Sequence, residues 1–448
     1  MLFYKMMEEE GNKVINFGCR LNLVESEIIK KLIKDSDEKN LIILNSCAVT
    51  NEAERKLKQS IRSNFKKNPE AKIIVTGCAA QINPTKYSKM PEVSMVIGNN
   101  EKLKKESYLR EGEVSNVTGK NINQDQNILY QDRLFFENQR QDGANHEKIL
   151  VNDIMSVKDT ANHLISYFED KSRAFLQIQN GCNHRCTFCI IPYGRGNSRS
   201  VPFGDIVEQT RLLVKNGYNE IVLTGVDITD YGKDLLSDLT LFSMIKRLLK
   251  LVPELPRIRL SSIDVAEIDN DFYDLIANEP RFMPYLHISL QSGDDLILKR
   301  MKRRHKRHDV IHFCKKTRSL RKDVTFGSDI IAGFPTETEE MFENSLNLID
   351  EAGLIFNHIF PFSAKEGTPA AKMPQIPSKI RKERAERLRK STAISHQKFA
   401  KKMIGTRQKV IIEDGDFGRC ENFIKVRLIK NHEYRRGEII EIEVEKIS

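Results

Sequence analysis

"NGCNHRCTFCIIPYGRG", residues 180–196, places three thiols, Cys182, Cys186 and Cys189, within eight residues. The spacing is CxxxCxxC, with Phe188 directly before the last cysteine. Thiolates are soft ligands, and three this close can wrap one metal centre. A structural zinc site closes with four protein ligands, commonly from paired cysteines. No second CxxC occurs in the chain, and His184 inside the loop suits no common zinc spacing. Cubane iron–sulfur clusters usually take four cysteines, so three leave one iron open to a further ligand. The competing reading is an incomplete zinc knuckle or a set of packed structural thiols.

The rest of the chain narrows the setting. At 448 residues it is long enough for two to four domains with real cores. The N-terminal "MLFYKMMEEEGNK" turns charged at once, and no apolar run approaches a membrane span. These features predict a soluble, cytoplasmic protein without a membrane partner. In that compartment thiols stay reduced, so clustered cysteines mean metal or catalysis rather than disulfides. The net charge of +10 is uneven. Residues 376–448 hold 19 Lys and Arg against 11 Asp and Glu, an excess of eight positive charges. Such a surface attracts polyphosphate backbones, although it also serves plain solubility.

Upstream of the loop, "KVINFGC", "LIILNSC" and "KIIVTGC" are three β-rich runs that each end in a cysteine: Cys19, Cys47 and Cys78. Helical patterns such as "NLVESEIIKKLIK" and "NEAERKLKQSIRSNF" follow them. Alternation of this kind predicts a parallel sheet with crossover helices, and ligands sit beyond the carboxyl ends of such strands. Three cysteines 28 and 31 residues apart can therefore meet at one point. Residues 112–167 lose the pattern and read as a polar linker, with some docking by Leu134, Phe135 and Phe136. From about residue 173 a second βα series begins, with six candidate strands: "FLQIQ", "EIVLTG", "RIRLSS", "YLHISLQ", "TFGSDIIAG" and "FNHIFPFS". Six units build most of a barrel. A charged helix and an alternating strand–turn tail complete the chain.

CxxxCxxC with an aromatic before the last cysteine resembles the cluster loop of radical S-adenosylmethionine enzymes. The wider run "NGCNHRCTFCIIPYGRGNSRS" is similar to the methylthiotransferase branch of that superfamily. In the superfamily the open iron chelates S-adenosylmethionine, and an electron from the cluster cleaves its sulfonium to give a 5′-deoxyadenosyl radical. The resemblance implies an α/β architecture in three parts. A flavodoxin-like or Rossmann-like parallel-sheet domain spans 1–111, and the linker spans 112–167. A partial (β/α)6 radical S-adenosylmethionine barrel spans 168–377. A basic helix with a small five-stranded β-barrel of the RNA-binding TRAM type spans 378–448. It further implies two [4Fe–4S] clusters, one on Cys182, Cys186 and Cys189 and an auxiliary one on Cys19, Cys47 and Cys78.

S-adenosylmethionine contacts are expected from Gly225 and Asp227 in "LTGVDITDYG", Ser289 and Gln291 in "HISLQSG", and Asp329 in "SDIIAGFPTET". Arg304 belongs to "KRMKRRHKR", residues 299–307, where seven of nine residues are Lys or Arg, and it or a neighbour is expected on the S-adenosylmethionine carboxylate or an RNA phosphate. Each of these also has a plain structural reading, as a strand-end turn or a solvated face. Arg384, Arg387, Lys401 and Lys402 of the charged helix are candidates for RNA contact. Cys314 and Cys420 lack clustered partners and read as packed thiols. "GVDITDYG" and "SCAVTNEAERK" resemble the branch that modifies threonylcarbamoyladenosine in tRNA, at carbon 2. Its partners would be tRNA, an external electron donor and a sulfur source. The sister branch acting on isopentenyladenosine, a ribosomal-protein aspartate methylthiotransferase, and a non-catalytic RNA-binding metalloprotein remain alternatives.

Overall fold

The computed structural model describes residues 11–34, 39–108, 148–159, 165, 167–168, 171–428 and 433–447. The expected docking residues Leu134, Phe135 and Phe136 lie outside them. The chain divides into two compact units. The first comprises Met1–Ala161 with Tyr193–Gly196, and the second Asn162–Pro192 with Asn197–Ser448.

The first unit is built on parallel strands β1 (Lys13–Asn16), β2 (Leu41–Ser46), β3 (Lys72–Gly77), β4 (Met95–Ile97) and β5 (Ile149–Leu150). They lie in the order β1-β2-β3-β4-β5. Every residue of β2 is buried, which is why it reads as a near-continuous apolar run. The Arg20–Lys34 helix turns Leu21, Val24, Ile28, Ile29 and Ile33 inward, the 3.6-residue period of an amphipathic helix. Thr50 caps the Asn51–Lys67 helix by accepting from the Ala53 N–H at 3.1 Å, so that helix starts only four residues after Cys47. Cys47 and Cys78 directly follow β2 and β3, and Cys19 lies three residues beyond β1. The strand order is sequential, so this sheet has no reversal point; parallel pairing alone brings the strand ends to one edge. β5 falls inside the stretch expected as linker.

The second unit contains the six expected βα strands: β6 (Ala174–Gln177), β9 (Glu220–Thr224), β10 with β11 (Arg257–Leu260, Ser262–Ile263), β12 (Tyr285–Gln291), β13 (Thr325–Ala332) and β14 (Leu354–Pro361). A two-stranded ribbon of β7 (Gln179–Asn180) and β8 (Arg199–Ser200) brackets the cysteine loop. The six strands pair in parallel as β6-β9-β10 and β11-β12-β13-β14. The Ser378–Met403 helix buries Arg384, Ala385 and Leu388. Arg384 pairs with Glu337 at 2.9 Å and Glu339 at 3.0 Å, and Arg387 pairs with Glu339 and Glu343. These two arginines are therefore committed to the fold, whereas Lys401 and Lys402 are exposed.

The tail forms an antiparallel sheet of β15 (Arg407–Asp414), β16 (Phe417–Cys420), β17 (Lys425–Arg427) and β18 (Ile439–Glu443), ordered β17-β16-β15-β18. A single bridge, Val426–Ile447, stands where a fifth strand was expected. Val410, Ile412, Cys420, Ile424, Val426 and Val444 form its core. Cys420 and Cys314 are both buried, as expected of packed thiols.

This tail closes the barrel floor. Phe423 stacks on Tyr285 of β12 at 4.2 Å and 10°. The guanidinium groups of Arg419, Arg259 and Arg173 lie 4.3, 5.2 and 5.5 Å from its ring. Beneath it, fully buried Glu220 holds Arg259 at 2.6 Å. Arg173 reaches Glu413 of β15 at 2.8 Å. Phe423 has φ +75°, a conformation that costs a non-glycine residue energy and persists only where packing fixes it.

Candidate metal centres

In the second unit the cysteine loop is fastened by its own backbone. The Cys189 N–H donates to the Cys186 carbonyl at 3.0 Å, and Thr187 bonds the Met301 and Arg300 carbonyls through its N–H at 3.2 Å and its hydroxyl at 2.8 Å. Gln179 donates to the Gly181 carbonyl at 2.8 Å, while its Oε1 accepts from the Val226 and Asp227 N–H groups at 3.0 and 2.9 Å. One side chain thus ties the loop to the turn after β9. A Cβ on Gly225 would lie 2.8 Å from the Gln179 carbonyl oxygen, so only glycine permits that tie.

Asp227 stands beside the thiols, its Oδ2 2.9 Å from His184 Nε2 and 3.9 Å from Cys182 Sγ. Burial, and after it the Asp227 carboxylate and the other two thiols, push the Cys182 thiol up. Arg303 donates to the Ser289 carbonyl at 2.8 Å, pairs with Asp264 at 3.0 Å and brings Nη1 to 3.8 Å from Cys186 Sγ. Burial works to raise the Asp264 carboxyl, but a His305 hydrogen bond and Arg303 hold it well below the usual range.

The expected contact residues divide accordingly. Asp227 and Ser289 meet the loop's surroundings, Ser289 through its carbonyl. Gln291 ends β12 with φ +75° at a register shift against β13. Arg304 pairs instead with Asp264 at 3.2 Å and Glu267 at 3.0 Å, on the outer side of the same acidic pair. Asp329 is held between His287 at 3.1 Å and His358 at 3.2 Å, with Tyr285 hydroxyl 2.9 Å from the other His287 nitrogen. Arg303, the neighbour of Arg304 in the basic run, is the arginine that reaches the loop.

In the first unit, Cys19, Cys47 and Cys78 share one field. Burial, then the charges of Cys78 and Cys19, push the Cys47 thiol up to about 12. Asn22 Oδ1 accepts from Cys19 Sγ at 3.3 Å, the Val49 N–H points at Cys47 Sγ at 3.4 Å, and Asn99 Nδ2 lies 3.7 Å from Cys78 Sγ. Beside them sits a buried ionic group that the sequence did not announce. Glu25 takes Lys102 at 2.6 Å and Arg195 at 2.8 Å.

Both sites therefore offer three reduced thiols, and all eight cysteines are free. Three soft sulfur donors without a fourth suit a cubane cluster with one open iron better than a closed zinc tetrahedron. Comparison with known proteins decides the lineage. The chain is 54% identical over 93% of its length to the threonylcarbamoyladenosine tRNA methylthiotransferase of Rickettsia prowazekii, covering 91% of that protein. It belongs to that family. The homologue from Aquifex aeolicus is 32% identical, with 92% of this chain and 94% of that protein covered. A tRNA-2-methylthio-N(6)-dimethylallyladenosine synthase from Neorickettsia sennetsu is 29% identical over 92% of the chain and 86% of its own length. The Radical SAM superfamily profile matches residues 176–349, and that of the uncharacterized protein family UPF0004 matches 12–98. In fold, the chain is similar to the radical S-adenosylmethionine methyltransferase TsrM from Kitasatospora setae. The TM-score is 0.55 at 12% identity, covering 80% of this chain and 76% of that one. Among the described residues, no helix is long and apolar enough to cross a membrane.

Proposed function

We propose that this protein adds a methylthio group to carbon 2 of N6-threonylcarbamoyladenosine, beside the anticodon of tRNA. The observation that carries this reading is the near full-length identity to the Rickettsia enzyme. The dimethylallyladenosine enzymes are the second reading, and the 29% identity of the Neorickettsia protein makes them the weaker one. In this reading Cys182, Cys186 and Cys189 hold one [4Fe–4S] cluster, and Cys19, Cys47 and Cys78 hold the other. Bound there with S-adenosylmethionine, they supply the homolytic chemistry that no side-chain acid or base performs on an aromatic C–H.

The chain's own residues bind and orient. Asp227, at the mouth of the loop, would take a cationic amino group. The Arg303 guanidinium, aimed past Ser289 at Cys186, would take a carboxylate. The plug of Phe423 and the Glu220–Arg259 pair exclude water from the floor. Exposed Lys401 and Lys402 and the basic tail supply contacts to tRNA phosphate. The reaction also needs an electron donor and a sulfur source, and its setting is the cytoplasm.

Nucleoside mass spectrometry of tRNA from a strain lacking the gene tests the reading. Loss of the 2-methylthio form of threonylcarbamoyladenosine alone supports it. Loss of the 2-methylthio form of isopentenyladenosine would move the protein to the sister branch.

A further inference from the structure

The ionic group beside Cys19 and Cys78 has no part in the reading above. Arg195, Lys102 and Glu25 have side chains 2%, 0% and 1% exposed. Glu25 accepts two hydrogen bonds from Arg195, at 2.8 and 3.1 Å, and one from Lys102 at 2.6 Å. Two cations therefore share one carboxylate in a dry place, where an unmatched charge is costly. Glu25 alone leaves one positive charge unmatched, and an anionic group held at Cys19, Cys47 and Cys78 would supply the second counter-charge.

The backbone agrees. Arg195 arrives on Tyr193–Gly196, the four residues that belong to the first unit although the second supplies the chain on either side. A Cβ on Gly194 would lie 3.3 Å from the Cys78 Cβ. Asn99 donates to the Gly194 carbonyl and to Cys78 Sγ. Asn22 bridges Cys19 and Arg195 through its Oδ1, at 3.3 and 3.2 Å.

We infer that Arg195, seconded by Lys102, is a positioning residue for the strand-end thiol site, a buried surplus of positive charge that holds an anionic cluster there and eases its reduction. Adding an electron makes a thiolate-bound cluster more negative, and a fixed neighbouring cation stabilises that state; charge and hydrogen bonding around the sulfurs are how proteins tune such centres. This inference rests on the auxiliary-cluster reading.

The test uses the full chain with Cys182, Cys186 and Cys189 replaced by Ala, so that one cluster remains, reconstituted anaerobically and titrated for its midpoint potential by electron paramagnetic resonance. Arg195→Met removes one positive charge and should lower the potential. Glu25→Gln removes the opposing negative charge and should raise it. Arg195→Lys should stay near the parent. Shifts of the same sign for Arg195→Met and Glu25→Gln, or no shift in either folded variant, would overturn the inference, because a purely structural clamp has no reason to respond with opposite signs. If Arg195→Met holds no iron, retention by Arg195→Lys supports the charge role, and its loss there too overturns it. A parent without iron would instead sink the cluster reading, and the inference with it.

Discussion

The two units solve one problem, gathering three thiols, by opposite means. The second takes all three from one eight-residue loop and sets the Asp227 carboxylate against them. The first takes one from the end of each of three parallel strands and sets Arg195 and Lys102 nearby. A site assembled from one loop depends on that loop's internal bonds. A site assembled from three strand ends depends on the whole sheet, so its geometry is as rigid as the core beneath it. The surroundings differ in balance as well: the loop has one carboxylate, Asp227, and one guanidinium, Arg303, suited to a ligand that carries both charges, whereas two buried cations on one carboxylate suit a centre that carries negative charge.

The largest expected effect separates the two thiol sets. Reconstituted protein should hold about eight irons, as two four-iron cubanes. Replacing Cys182, Cys186 and Cys189 by Ala, or Cys19, Cys47 and Cys78 by Ala, should leave about half in either case. Methylthiolation should vanish in both, while the strand-end variant still forms 5′-deoxyadenosine on reduction. Iron analysis and chromatography of the products check this. Unchanged iron in either variant would break the comparison.

A smaller effect concerns dependence on the tail, which the second unit has within its own boundaries. Phe423→Ala removes a stacked ring and three cation contacts, and should cost about 3 kcal/mol. Hydrogen exchange should quicken in β12 and β10, with β2 and β3 unchanged. Equal loosening of both sheets would show that the units do not unfold separately.

The smallest effects are pH slopes of opposite sign, from one buried carboxylate in each unit, Glu25 and Glu337. Burial works to raise Glu25, but Arg195 and Lys102 outweigh it and hold it at about 2, against an ordinary 4.5. Its contribution is present above pH 4.5 and is lost as pH falls toward 2. For Glu337, burial outweighs Arg384 and pushes the carboxyl up to about 7. Folding then favours its protonated form, so its contribution is present below pH 4.5 and is lost as pH rises through 7. Glu337→Gln should flatten the decline of the second unit's melting temperature between pH 5 and 8. An unaltered slope would mean that Arg384 keeps Glu337 ionised.

Local features were the legible ones. CxxxCxxC announces itself because its three cysteines are neighbours in sequence. The strand-end set was legible because an apolar run and a cysteine repeat three times, and a parallel sheet converts that repetition into proximity. The six barrel strands were legible as short β-rich runs; β9, β10, β12 and β13 are mostly buried, whereas β6 alternates and β14 leaves three of its eight residues exposed. What stayed hidden depends on tertiary partners. Arg195 and Lys102 belong to residue types that normally face water, and Glu25, with Asn22, Asn45 and Asn99, makes their burial tolerable. Arg384 and Arg387 looked like solvated charges until Glu337, just before the neighbouring helix, and Glu339 and Glu343 on it appeared beside them. Arg303 and Arg304 are adjacent and chemically identical, and the turn between the Asp295–Arg300 and Arg307–Leu320 helices alone aims one of them at Cys186.

Phe423 also fixes an order of events during synthesis. A ribosome makes the barrel strands long before it makes the residue that seals their floor, since Phe423 lies 62 residues beyond the end of β14 at Pro361. Until then Tyr285 and the arginines around Glu220 face solvent, and the barrel is a set of paired strands with an open, charged base. Domains complete during translation tend to fold from the N-terminal side as units; the first unit can form its sheet early, because its strands and all three of its cysteines precede residue 151, and it gains buried Arg195 once Tyr193–Gly196 is made. The second must wait for Phe423. A messenger cut short before the tail would therefore yield a second unit with an open floor, recognisable to proteases by that part.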